Sequence, residues 1–217
     1  MIRALILFAL LFVEFAAIAQ VTFPDGIYTS RDQLMRKKPR YAETLEVRPS
    51  RSDSVLAGRV NQFRLHSPDR SHRFLRKDVY AYVQNGEVYL NAWRLDRYDG
   101  FAKCLNSGNF MVFWSVSRPE DSGYEFGHWF AMRAGYMAEL VTDIINEAAA
   151  PDTLGFEPFV LSLRTTNVRT FTKDYLKARL ESYPDLLGEY LALDSIAQDS
   201  MALPFLNRIN ELIESGH

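Results

Sequence analysis

The sequence predicts an α+β fold: a mostly antiparallel sheet of hairpins, one mid-chain helix and a helical cluster at the C-terminus packed on the sheet. Three observations carry this. Asn85-Gly86 lies between two runs of alternating polarity, the strongest short hairpin signal. A second pair of apolar runs flanks Ser107-Gly108. Apolar residues after Thr172 recur at helical spacing. Strands that cluster centrally and helices that cluster late fit α+β rather than an alternating parallel sheet. At 217 residues, 47% hydrophobic and 24% charged, the chain has the composition of a folded globular protein.

The elements follow in chain order. Arg3 and the apolar run Ala4 to Val13 read as an export leader, and Ala17-Ile18-Ala19 offers the small-x-small pattern of a leader-peptidase site. Glu14 breaks the run well short of the roughly 20 apolar residues that a spanning helix needs. Residues 1–19 are thus expected to be a signal peptide and residues 20–217 one mature domain, periplasmic or secreted, with no stable membrane anchor. Pro24-Asp25-Gly26 marks a turn, and Ser30 with Gln33 has capping-box spacing for a short helix that Pro39 stops near Lys38. Arg59 to Leu65 alternates like a strand.

A two-residue turn at Asn85-Gly86 pairs Val83 with Val88, Tyr82 with Tyr89, Ala81 with Leu90 and Tyr80 with Asn91. One face is then aliphatic, from Val79 to Ala92, and the other aromatic: Tyr80, Tyr82, Tyr89 and Trp93. In the second hairpin, a turn at Ser107-Gly108 pairs Leu105 with Phe110, Cys104 with Met111 and Ala102 with Phe113. Bulky apolar residues on both its faces predict a two-sided position. Tyr136 to Ala149 has helical period with an acidic stripe of Glu139, Asp143 and Glu147. Residues 159–171 read as a hairpin turning near Thr166-Asn167. Thr172 caps a helix through Leu180, Pro184 opens a helix whose core face is Leu186, Leu187, Tyr190 and Leu191, and a last helix runs from about Ser200 to Glu214.

Charge is unevenly spread. Residues 31–78 hold 13 Lys and Arg against 6 Asp and Glu, and residues 119–217 hold 7 against 16. Two readings follow: the halves attract each other within one fold, or the basic segment offers a face to a polyanion. Export and a pI near 6.1 disfavour nucleic acid.

Catalytic signatures are sparse. The chain carries no G-x-S-x-G elbow, phosphate loop, G-x-G-x-x-G or H-E-x-x-H motif. A single cysteine excludes an internal disulfide and any Cys-based zinc or iron–sulfur site. Cys104 shares its face with Ala102, Met111 and Phe113 and reads as a small core hydrophobe rather than a nucleophile. His66, Asp69 and His72 fall within seven residues, but a polar loop produces such a set by chance, and no metal or other cofactor is expected. His128 has no evident acid or nucleophile partner. No catalytic residue is expected. The alternative site is the aromatic face: Tyr80, Tyr82, Tyr89 and Trp93, if exposed and coplanar, would stack on a sugar or another small ligand.

The stretch GIYTSRDQLMRKKP after the leader, the AKCLNSGNFMVFW hairpin and the hairpin-then-helices stretch from Phe159 to Tyr190 resemble the small secreted proteins of unknown function common in Bacteroidota. Gly26-Ile27-Tyr28 and Lys38-Pro39 fit the group's start, whereas Leu34 and Met35 stand where aromatics are usual. Thr166-Asn167 replaces a Thr-Gly turn. The resemblance implies export and this order of elements and brings no activity. The sequence thus points to an exported, non-catalytic structural or interaction protein, with a protein or glycan as its partner.

Overall fold

The computed structural model describes residues 21–49, 62–95, 97, 100–116 and 156–216. The leader, the helical pattern at 136–149 and His128 lie outside the described residues.

Six short strands form one antiparallel sheet: β1 (Gly26–Tyr28), β2 (Glu46–Pro49), β3 (Gln62–His66), β4 (Ala81–Gln84), β5 (Glu87–Asn91) and β6 (Phe101–Lys103), in the order β1-β4-β5-β6-β3-β2. Three more, β7 (Phe110–Val116), β8 (Phe156–Ser162) and β9 (Val168–Thr170), form a second antiparallel sheet in sequence order. Helix α1 (Arg31–Met35) follows β1, and α2 (His72–Lys77) precedes β4. Helices α3 (Lys173–Leu180), α4 (Pro184–Leu191) and α5 (Ser195–Glu214) close the chain. The α+β class and the late helical cluster are as the sequence predicts.

Two-sided strands explain the layering. Ala81, Val83, Val88, Leu90 and Ala102 of the first sheet meet Met111, Phe113, Phe159 and Leu161 of the second in a core between the sheets. Val21 and Phe23 enter the same core. The opposite residues of the second sheet, Phe110, Val112 and Val160, pack against Phe171, Leu176, Tyr190, Phe205 and Leu206 from the helical region. The outer face of the first sheet, with Ile27, Tyr82, Tyr89 and Phe101, is covered by Leu45, Leu75 and Val79. Sheets with two apolar faces need a layer on each, and this stack supplies them.

The Asn85-Gly86 hairpin has the expected register: Val83 opposite Val88, Tyr82 opposite Tyr89, Ala81 opposite Leu90. Both turn residues take positive φ, 54° and 77°, as a type I′ turn demands. The Asp25 carboxylate accepts from the Asn85 amide at 3.1 Å. Thr172 caps α3 by accepting from the Tyr175 amide, and Pro184 occupies the first turn of α4. Ser30 caps α1, and Gln33 Oε1 accepts from the Thr29 amide at 2.8 Å.

Four expectations are corrected. The second hairpin does not form as one sheet: β6 and β7 belong to different sheets, Ala102 pairs with Gln62 and Leu90, and the connection is a wider turn in which Cys104 bridges to Phe113 and the Leu105 amide donates to the Val112 carbonyl at 2.7 Å. Asn106 causes the shift, since its Oδ1 accepts from the Val112 amide at 2.7 Å and its Nδ2 donates to the Phe110 carbonyl at 3.0 Å, replacing ladder bonds. Val79 and Tyr80 exchange faces, because the Asn91 side chain donates to the Val79 carbonyl at 2.7 Å and holds that residue off the ladder. Helix α5 starts five residues early, at Ser195, capped by Asp194. Pro204, which suits a first turn, lies inside it. Leu191 is 53% exposed rather than on the core face of α4.

Candidate functional site

The four aromatic residues do not form an exposed platform. Tyr82 is 1% exposed and Tyr89 is also buried, with their rings 6.3 Å apart and tilted by 30°. The Leu45 amide donates to the Tyr82 hydroxyl at 2.8 Å, and the Tyr89 hydroxyl donates to Glu87 at 2.7 Å. Burial pushes both phenols up. Tyr80 is buried in the inter-sheet core, where burial raises its pKa to about 12. The cover over Tyr82 and Tyr89 comes from the Leu45 segment and α2, not from the late helices. Only Trp93, on the short 3-10 turn Ala92–Leu95 after β5, stays exposed, at 41%.

Cys104 is buried beside Met111 and Phe113, and burial raises its thiol pKa. His66 ends β3, His72 begins α2, and Asp69 lies between them. Among the described residues no three His, Cys, Asp or Glu side chains gather as a metal-binding group.

Sequence reasoning missed two groupings. The first is an interior amide cluster. Asn210, on α5, accepts from the Phe110 amide at 2.8 Å and donates to the Phe110 carbonyl at 2.9 Å. Asn106 donates to Asn207 at 2.8 Å, and Ser107 donates to the Val21 carbonyl. Gly108 fits closely there, since an added Cβ would meet Asn210 Cγ at 2.5 Å. Every contact is with the protein itself, so this cluster fastens α5 to the start of β7. Asn210 has helical spacing, but nothing in that spacing shows that its amide caps a distant strand.

The second grouping is a surface band of alternating cations and rings. Arg40 and Arg70 lie 5.5 and 4.2 Å from the Tyr41 ring centre, and Arg70 also lies 5.1 Å from that of Phe74 on α2. Arg76, on the opposite flank of α2 from Phe74 across the buried Leu75, sits 5.7 Å from Trp93. Arg94 donates from one Nη1 to the Thr29 and Asp78 carbonyls, both at 3.0 Å, which fixes the 3-10 turn against the end of α2. Arg73 and Lys77 are exposed on α2. Glu43 pairs with Arg70, which holds its carboxyl below the usual range through that hydrogen bond. Basic and aromatic residues far apart in sequence thus share one strip; the sequence signal was the positive excess over residues 31–78.

These layers define an α+β protein built on two stacked antiparallel sheets, with its single thiol inside and a basic, aromatic strip outside. The chain belongs to a family of unknown function (DUF6563), which matches residues 26–212. Comparison with curated proteins and with solved structures finds no match.

Proposed function

We propose that the protein is exported to the periplasm or beyond and works by contact with a partner, without catalysing a reaction. The observation that carries this reading is the division of side chains between interior and surface. Cys104, Tyr80, Tyr82 and Tyr89 are enclosed in packed cores, whereas the Arg40–Arg94 strip presents cations and the Trp93 ring to solvent. A thiol with a raised pKa is a poor nucleophile. Exposed rings beside guanidinium groups are a common means of holding partners.

Export is supported by the leader pattern at residues 1–19 and by the resemblance to small secreted proteins. Mass spectrometry of exported material tests it. The expected N-terminus is Gln20, in its free or cyclised form, and an intact Met1 overturns export.

A further inference from the structure

We propose that the strip from Arg40 to Arg94 is a docking surface for an anionic polysaccharide, one bearing carboxylate or sulfate groups along its length. The inference rests on the export reading and names the partner that the strip fits. Its first support is that most of the described cations of the basic segment, among them Arg40, Arg73 and Lys77, lie exposed at the surface. Among the described residues, Lys37 pairs with Glu214 across the two regions. Arg31, Arg48 and Arg70 pair with Asp32, Glu46 and Glu43 in their own segment, and Lys173 and Arg208 pair with Asp199 and Glu189 in theirs.

The second support is arrangement. Arg40, Arg73, Lys77 and Arg94 are exposed; Arg40 and Arg70 share the Tyr41 ring, Arg70 also reaches Phe74, and Arg76 lies over Trp93. Glu43, Asp69 and Asp78 are the carboxylates described along the strip, and Glu43 is already paired. A row of cations suits a repeating anion, and an exposed indole gives a sugar ring a flat apolar surface to stack on. Guanidinium forks bind carboxylate and sulfate oxygens two at a time. Export favours a glycan over nucleic acid as the polyanion.

The test titrates the mature chain with heparin and with polygalacturonate, with dextran as the uncharged polymer and duplex DNA as the competing class. Saturable binding to a charged polysaccharide is expected, weakening as salt rises. The triple variant Arg73→Gln, Arg76→Gln, Lys77→Gln should bind about tenfold or more weakly, and Trp93→Ala should lose roughly two- to fivefold. A triple variant on the other region, Arg169→Gln, Lys177→Gln, Arg179→Gln, removes the same charge and should bind as the parent does. Lys77→Gln alone keeps the comparison open if the first triple variant fails to fold. Equal loss in both triple variants, equal binding of dextran, tighter binding of DNA, or no binding of either charged polysaccharide overturns the proposal. None of these bears on Gln20, so the export reading stands or falls separately.

Discussion

Cys104 is 9% exposed and lies between the two sheets, with Phe113 as its bridge partner. Burial disfavours the thiolate, so its pKa is raised and both access and reactivity are low. A thiol reagent is expected to leave the native protein unmodified and to label it fully after denaturation. Rapid labelling of the native chain would remove Cys104 from the core and reopen a nucleophilic role. This residue was legible because an apolar neighbourhood of period two surrounds it in the sequence. Asn91, Asn106 and Asn210 were not, although all three are buried. Their side chains replace backbone partners, a few residues on for Asn106 and far away for Asn91 and Asn210, and such bonds leave no periodic trace. An interior amide left without its partner costs about 1–3 kcal/mol, so Asn91 helps to fix the chain just before β4, and Asn106 and Asn210 help to fix the turn into β7.

The two hairpins show at the level of elements what local sequence can and cannot determine. Asn85 and Gly86 both adopt left-handed geometry, and the turn they form sets the pairing of β4 with β5. Nothing lies within 4 Å of a Cβ added at Gly86. Gly86→Val therefore meets no clash, and its cost is backbone strain alone, roughly 1–3 kcal/mol. A drop of several degrees in melting temperature is expected, and an unchanged transition would mean that the turn is not type I′. Thr172 and Pro184 likewise mark true helix starts, because capping and first-turn chemistry are local. At Ser107-Gly108 the dipeptide resembles a turn, yet the register belongs to Asn106 and to α5, about a hundred residues away in the chain. The later hairpin turns near Thr166-Asn167 as read, but Thr166, not Asn167, takes the positive φ of 61°. Choosing between these neighbours depends on the fit of the whole loop, which composition does not show.

For the whole molecule, the order of layers was only partly legible. Apolar residues on both faces of the second hairpin announced that it would be covered twice, but not by which elements. The helices after Phe171 cover Phe110, Val112 and Val160 on the second sheet, while the outer face of the first sheet is closed by α2 and the Leu45 segment. Truncation after Arg169 tests this arrangement. It removes Phe171 and all three late helices, together with Asn210 and its bonds to Phe110. Phe110, Val112 and Val160 would then face water, each losing about 1.5–3 kcal/mol of burial. The inter-sheet core, including Met111, Phe113 and Phe159, would lose the backing of its second sheet. Against a total stability of roughly 5–15 kcal/mol, the fragment is expected to unfold or aggregate, read as loss of a cooperative transition in circular dichroism. A soluble fragment with a cooperative melt would make the C-terminal helices an independent unit. Tyr82 and Tyr89 would stay covered in either outcome, because their cover lies N-terminal to the cut. Polysaccharide binding by a surviving fragment would then confine the docking strip to the six-stranded sheet and the elements on its outer face.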